Sequence, residues 1–265
     1  MDPNTIDYSA LDRPEVLNFL FHPRPDWGPA VDRPDARDIL IPVAPEVSIG
    51  ARFHTAAPEA PNLLFFHGNG EIVSDYDDVA PVYRDMGVNF APVDYRGYGR
   101  SGGSPSVTGM MKDCHRIFTF LKRWLKENGY WGPLVVMGRS LGSASAAALA
   151  AAHPAAVAGV IIESGFARTG PLLRLLGVDL TALGIGDEDL LQNLNAMGQV
   201  HCPALVIHAE NDHIIPFSDG QALYAACPSP AQRFLAIPGA DHNNLMAVGF
   251  SEYMGAIQAL MRRLA

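Results

Sequence analysis

The sequence predicts an α/β fold: a mostly parallel sheet of about eight strands, flanked by helices and carrying a small helical cap. Three observations carry that prediction. Short apolar runs alternate with helix-patterned segments along most of the chain, which is the signature of βαβ crossovers. Several runs, such as residues 62–66 and 134–137, are apolar without alternation, as strands covered on both faces must be. A length of 265 residues, 48% of them hydrophobic and 18% charged, suits one packed domain and excludes a disordered or fibrous chain.

The elements follow in order. Residues 1–38 are rich in Pro, Asp and Arg and form an N-terminal extension, in which the apolar cluster 16–21 predicts a short helix packed on the body. Residues 39–43 and 47–53 read as two strands joined by Ala44-Pro45-Glu46, an antiparallel hairpin at the sheet edge. From residue 62 the alternation begins: strand 62–66, helix 75–86, strand 88–95, helix 108–128, strand 134–137, helix 141–152, strand 157–163. In the second of these helices Met111, His115, Phe118, Leu121, Trp124 and Leu125 recur at spacings of three and four, one apolar stripe that Gly129 ends. Strand 203–208, helix 219–226, strand 233–237 and helix 251–264 close a single domain over residues 1–265. The interval of about 165–200 breaks the rhythm: it is leucine-rich and longer than a plain crossover needs, and reads as a small cap insertion.

The bulk properties exclude several function classes. The net charge is −9 and no basic cluster exceeds Lys122, Arg123 and Lys126, so nucleic acid is not an expected partner. Cys114, Cys202 and Cys227 are odd in number and widely spaced, which argues against a disulfide framework or a zinc site and for a reducing compartment. The first residues lack the basic and apolar regions of a signal peptide, and no apolar run is long enough to span a membrane, so the expected location is cytoplasmic. Neither an HExxH motif nor paired His/Asp spacing is present, and no metal or other cofactor is expected.

The chemistry concentrates in residues 135–148. An apolar run ends on Gly138, Ser140 stands between Arg139 and Leu141, and Gly142 opens a run of small helix-favouring residues. Strand, sharp turn and helix are the context in which Gly-x-Ser-x-Gly holds a serine hydroxyl at the C-terminal edge of a sheet. The two glycines face each other across that turn, where a side chain would clash. A serine hydroxyl is a poor nucleophile near neutral pH and needs a base and a group that orients the base. Asp212 lies just past strand 203–208, and His242 just past strand 233–237, so an acid and then a histidine follow the serine on the same edge.

Five stretches in this order, His67-Gly68-Asn69-Gly70, Asp94 to Ser101, Gly138 to Gly142, Glu210 to Pro216 and Gly239 to Asn243, resemble the serine hydrolases of the α/β-hydrolase fold, over about residues 36–265. The pattern most resembles the esterase and thioesterase-like "α/β-hydrolase domain-containing" subgroup. Depalmitoylating members of that subgroup carry a cysteine-rich N-terminal anchor, a feature residues 1–8 do not share. The resemblance implies that Ser140 attacks an acyl carbon, that His242 takes and returns its proton, and that Asp212 orients the imidazole. It further implies an oxyanion hole made by the backbone N–H of Leu141 and an N–H of Asn69 or Gly70. The implied substrate is a carboxylic ester or thioester of a small or lipid-like acid, cleaved through an acyl-enzyme. A small-amide or peptide hydrolase and a non-catalytic ligand-binding protein are the alternatives.

Other residues carry plainer expectations. His67 braces its loop, His213 points away from the site, and His208 and His115 occupy packing positions. Glu163, at the end of strand 157–163, is the alternative acid. Asp241 braces the loop of the base, and Asp94 hydrogen-bonds backbone amides. Any part of the cap that faces the cleft implies an apolar acyl group.

Overall fold

The computed structural model describes residues 6–186 and 190–264. Residues 1–5 of the extension and 187–189 within the cap interval lie outside the described residues. In chain order the elements are α1 (Pro14–Leu20), β1 (Asp32–Arg33), β2 (Ala36–Ala44), β3 (Val47–His54), β4 (Asn62–Phe66), α2 (Ala80–Asp85), β5 (Asn89–Val93), α3 (Val107–Glu127), β6 (Leu134–Arg139) and α4 (Gly142–Ala152). They continue as β7 (Gly159–Glu163), α5 (Thr169–Leu175), α6 (Asn193–Met197), β8 (Ala204–Ala209), α7 (Phe217–Ala226), β9 (Gln232–Ile237), α8 (Leu245–Val248) and α9 (Phe250–Leu264).

The strands form one sheet in the order β1-β2-β3-β5-β4-β6-β7-β8-β9. Strands β1, β2, β3 and β5 pair antiparallel, and from β5 through β4 to β9 every pairing is parallel. Among the described residues the sheet has nine strands rather than about eight because the two-residue β1 pairs with the start of β2, so the β2–β3 hairpin is one strand in from the edge. Glu46 turns that hairpin with a φ of 61°.

Period-two alternation divides the core into two layers. Leu64 and Phe66 of β4, Val136 of β6, Val160 and Ile162 of β7 and Val206 of β8 face the layer completed by α1, α3, α4 and the cap. Leu63, Phe65, Val135, Met137, Ile161, Leu205 and Ile207 face the opposite layer, closed by α2 and α9. All five residues of β4 are buried, which is why that run does not alternate in sequence. Helix α4 is made of Gly, Ser, Ala and one Leu and is buried almost along its whole length; small side chains let it lie close against β4 and β6. The stripe of α3 faces inward through Met111, Phe118, Leu121 and Leu125.

One expected helix is broken. Residues 75–86 read as a single helix, but the chain makes a 3-10 turn at Val73–Tyr76 and restarts as α2, with Pro81 in its first turn. Proline has no amide hydrogen to give to the preceding turn and fits only at a helix start. Across the parallel strands Phe66 aligns with Gly138, Arg139 with Glu163, and Ala209 with Ile237, so the loops after β4, β6, β7, β8 and β9 emerge along one edge.

His54, at the end of β3, is buried and lies 3.6 Å from Asp77. Burial depresses its pKa to about 4, against the opposing pull of Asp77. The folded state therefore keeps this imidazole neutral while the unfolded chain protonates it near pH 6.5, and stability falls as the pH drops from about 6.5 to about 4. Urea denaturation is expected to find about 3 kcal/mol of this loss missing in His54→Gln; equal pH slopes in the two proteins would contradict it.

Candidate active site

Ser140 follows the last residue of β6 and has a φ of 52°, a conformation that side-chain-bearing residues rarely adopt. The packing around it leaves no other path. A Cβ on Gly138 would collide with the carbonyl of Gly142, and a Cβ on Gly142 would collide with the carbonyl of Phe66 in β4. The Ser140 amide donates to the carbonyl of Glu163 at 2.9 Å, which fastens the turn to β7.

Ser140 Oγ lies 3.1 Å from His242 Nε2, and His242 Nδ1 lies 2.7 Å from Asp212 Oδ2. The amides of Ile214 and Ile215 donate to Asp212 Oδ1 at 3.0 and 2.7 Å. Burial acts to raise the pKa of Asp212, but the hydrogen bond and charge of His242 and these two amides outweigh it and hold the carboxyl below its usual value. The chain Ser140–His242–Asp212 thus runs without a break across three loops at the edge of the sheet.

Asn69 and Leu141 line the pocket at Ser140. Gly70 is not among the residues that line it, and its carbonyl accepts from Arg24 Nε at 2.7 Å. Of the two loop positions suggested by the sequence, Asn69 is therefore the one at the pocket wall. Its side chain is already engaged, with Oδ1 accepting from the Tyr98 hydroxyl at 2.7 Å.

The remaining histidines and acids sort by what they touch. His67 is fully buried, 2.8 Å from the Gly68 carbonyl and 3.3 Å from Asp94, so it braces its loop. Asp94 also accepts from the amide of Val73 at 3.0 Å. His213 is exposed. Asp241 accepts from the amides of Asn243 and Asn244 at 2.9 and 3.1 Å, turning the loop that carries His242. His115 lies against His153, 3.0 Å between ring nitrogens. His208 supports the Asp212 loop, with Nε2 donating to the Ile215 carbonyl at 3.0 Å and burial lowering the pKa of its ring.

Glu163 binds Arg139 rather than His242. Arg139 Nε lies 3.2 Å from Glu163, its Nη1 pairs with Glu71, and its Nη2 donates to the carbonyl of His242 at 2.8 Å. Tyr253 donates to the other oxygen of Glu163 at 2.7 Å; Glu71 accepts from the Gly68 amide at 2.7 Å and the Tyr76 hydroxyl at 2.6 Å. One guanidinium thus ties together the loops that carry Asn69, Ser140 and His242. Sequence reasoning missed this knot because Arg139 occupies a variable position of the motif and its partners lie far along the chain.

The pocket beside Ser140 and His242 has a volume of about 260 Å³. Its apolar walls include Leu141 and Ile214 from the body and Leu172 and Leu176 from the cap. Among the described residues no group of three or more His, Cys, Asp or Glu side chains could hold a metal ion, and no helix is long and apolar enough to cross a membrane.

Comparisons with known proteins agree with this architecture. A family model described as "Serine aminopeptidase, S33" matches residues 57–183. An uncharacterised protein of Mycobacterium tuberculosis H37Rv is 29% identical over 225 residues, covering 80% of this chain and 74% of its own. The lysophosphatidylserine lipase ABHD12 of Danio rerio is 33% identical over 185 residues, 62% of this chain and 46% of that lipase, so the chain spans less than half of it. Among solved structures, an esterase of Pyrococcus furiosus superposes with a TM-score of 0.70 at 16% identity, covering 92% of this chain and 97% of that one.

Removing Arg139 strands two carboxylates, one of them fully buried. Arg139→Met is expected to cost about 3–5 kcal/mol in urea denaturation at pH 7. The cost should shrink as the pH falls, because burial already raises the proton affinity of Glu163. A loss under about 1 kcal/mol would mean that the ion pairs are as weak as surface ones.

Proposed function

The chain is an α/β-hydrolase domain protein, and from that premise we propose that it is a serine hydrolase that cleaves carboxylic ester or thioester bonds through an acyl-enzyme intermediate. The observation that carries the proposal is the unbroken hydrogen-bonded chain from Ser140 Oγ to His242, 3.1 Å, and from His242 to Asp212, 2.7 Å. In the proposed mechanism His242 Nε2 takes the proton of Ser140 as its oxygen attacks the acyl carbon. Asp212 holds Nδ1–H and stabilises the imidazolium that forms. The tetrahedral oxyanion is met by the Leu141 amide and the Asn69 amide, each donor of this kind being worth about 3–4 kcal/mol in the transition state. The proton on His242 then passes to the alcohol or thiol as it leaves, and water repeats the sequence to release the acid.

A lipid-like or small acyl group is the substrate class we assign, on the apolar walls of the pocket and on the similarity to relatives such as the zebrafish lysophosphatidylserine lipase. The cytoplasm is the compartment we assign, on the free thiols of Cys114, Cys202 and Cys227. Amide hydrolysis is the second reading, favoured by the description of the matching family model.

Initial rates on p-nitrophenyl esters and on matched p-nitroanilides decide between the two. Ester turnover is expected in the wild-type protein, with a loss of roughly 10⁴-fold or more in Ser140→Ala and a comparable loss in Asp212→Asn. Ester turnover unaffected by Ser140→Ala would overturn the assignment, and preferential anilide turnover would move it to the amide reading.

A further inference from the structure

The pocket at Ser140 takes one wall from a distant part of the chain. Phe19 and Leu20, at the end of α1, line it together with Leu172 and Leu176 of the cap. Leu20 is buried and Phe19 is 41% exposed, so the first is enclosed by the protein and the second is partly open to solvent. The Phe19 ring also reaches the cap, where a Cβ on Gly177 would lie 3.4 Å from it. Without α1 this side of the pocket would open to solvent.

The segment that carries these side chains is fastened at both ends. Arg13 Nη1 donates to the carbonyl of Leu183 in the cap at 2.8 Å. Beyond α1, the His22 amide donates to Asn69 Oδ1 at 2.7 Å, and Asn69 Nδ2 donates to His22 Nδ1 at 2.8 Å. Arg24 follows, donating from Nε to the Gly70 carbonyl and pairing with Asp75. A backbone pinned on either side of Phe19 and Leu20 cannot withdraw them to admit a longer ligand without breaking these bonds. The cavity of about 260 Å³ lies below the ~300–1,000 Å³ of sites for drug-sized ligands.

We propose that residues 13–24 form a strap whose Phe19 and Leu20 side chains close the acyl pocket against Leu172 and Leu176 and so set the length of acyl chain that the site accepts. This rests on the reading of the site as an acyl hydrolase. The strap favours chains of medium length over palmitoyl groups.

The test uses the full chain and two independent measurements. First, kcat/KM is measured on p-nitrophenyl esters from acetate to palmitate for the wild type, Leu20→Ala, Phe19→Ala and Leu20→Trp. The alanine variants are expected to shift the optimum to longer chains, raising the long-to-medium preference ratio by roughly tenfold or more; Leu20→Trp should shift it to shorter ones. Second, butyrate, octanoate, dodecanoate and palmitate are titrated calorimetrically into Ser140→Ala with and without each strap substitution, which needs no turnover. The order of affinities should shift in the same direction. Thermal unfolding identifies any variant that fails to fold; if Leu20→Ala does, the Phe19→Ala comparison, at a partly exposed ring, still decides. Folded variants with unchanged chain-length order in both measurements overturn the strap proposal. An inactive wild type whose fatty-acid affinities still shift overturns the hydrolase reading and leaves the strap standing.

Discussion

The close approach of α4 to β4 and β6 is the constraint on which the site depends. Gly138 and Gly142 leave no room for side chains, and the chain turns through Ser140 at a φ of 52° to pass from strand to helix. Such a backbone costs about 1–3 kcal/mol and persists only where the surroundings over-determine it. Here the surroundings are the buried, small-residue helix α4 on one side and the Ser140–Glu163 backbone hydrogen bond on the other. The same turn sends consecutive side chains to different places: Ser140 into the pocket with His242, and Arg139 to Glu71 and Glu163.

Two charged networks therefore meet at this edge. One is His242 with Asp212, where the carboxylate is held ionised by amides and imidazole. The other is Arg139 with Glu71 and Glu163, flanked by the hydroxyls of Tyr76 and Tyr253. They join at one point, the hydrogen bond from Arg139 to the His242 carbonyl. Because Glu163 is committed to Arg139 and Tyr253, it is not available to orient His242, and the carboxylate on the next loop takes that place. The geometry thus separates two acids that the sequence offered for one position.

What could be read in the sequence follows from the range of the interactions involved. The central strands were legible because full burial on both faces writes itself as uninterrupted apolar residues, and the elbow because its glycines serve a local clash. Asp212 and His242 were legible because each lies one loop beyond a recognisable strand. The break before α2 could have been read from Pro81. The addition of β1 to the sheet rests on two residue pairs, too short for any periodicity. The place of α1 at the pocket left no local trace: Phe19 and Leu20 look like any amphipathic turn, and long-range interactions hold them there, the bond from Arg13 to Leu183, the burial of Leu20, and the bonds from His22 and Arg24 to residues some 46 or 47 positions away. The cap leucines were visible as a group, but their pattern does not say which of them meet the pocket: Leu173, Leu180 and Leu191 belong to the buried core, Leu172 belongs to that core and lines the pocket as well, and Leu176 lines the pocket from the edge of the core.

The proposed hydrolysis requires that the neighbours of Ser140 make its hydroxyl an unusually strong nucleophile. Peptide mapping by mass spectrometry after treatment with a fluorophosphonate tests this most directly. One stoichiometric adduct is expected in folded protein, on the peptide that contains Ser140, and none after heat denaturation. Folded protein left unlabelled at that residue, or labelled equally on other serines, would contradict it.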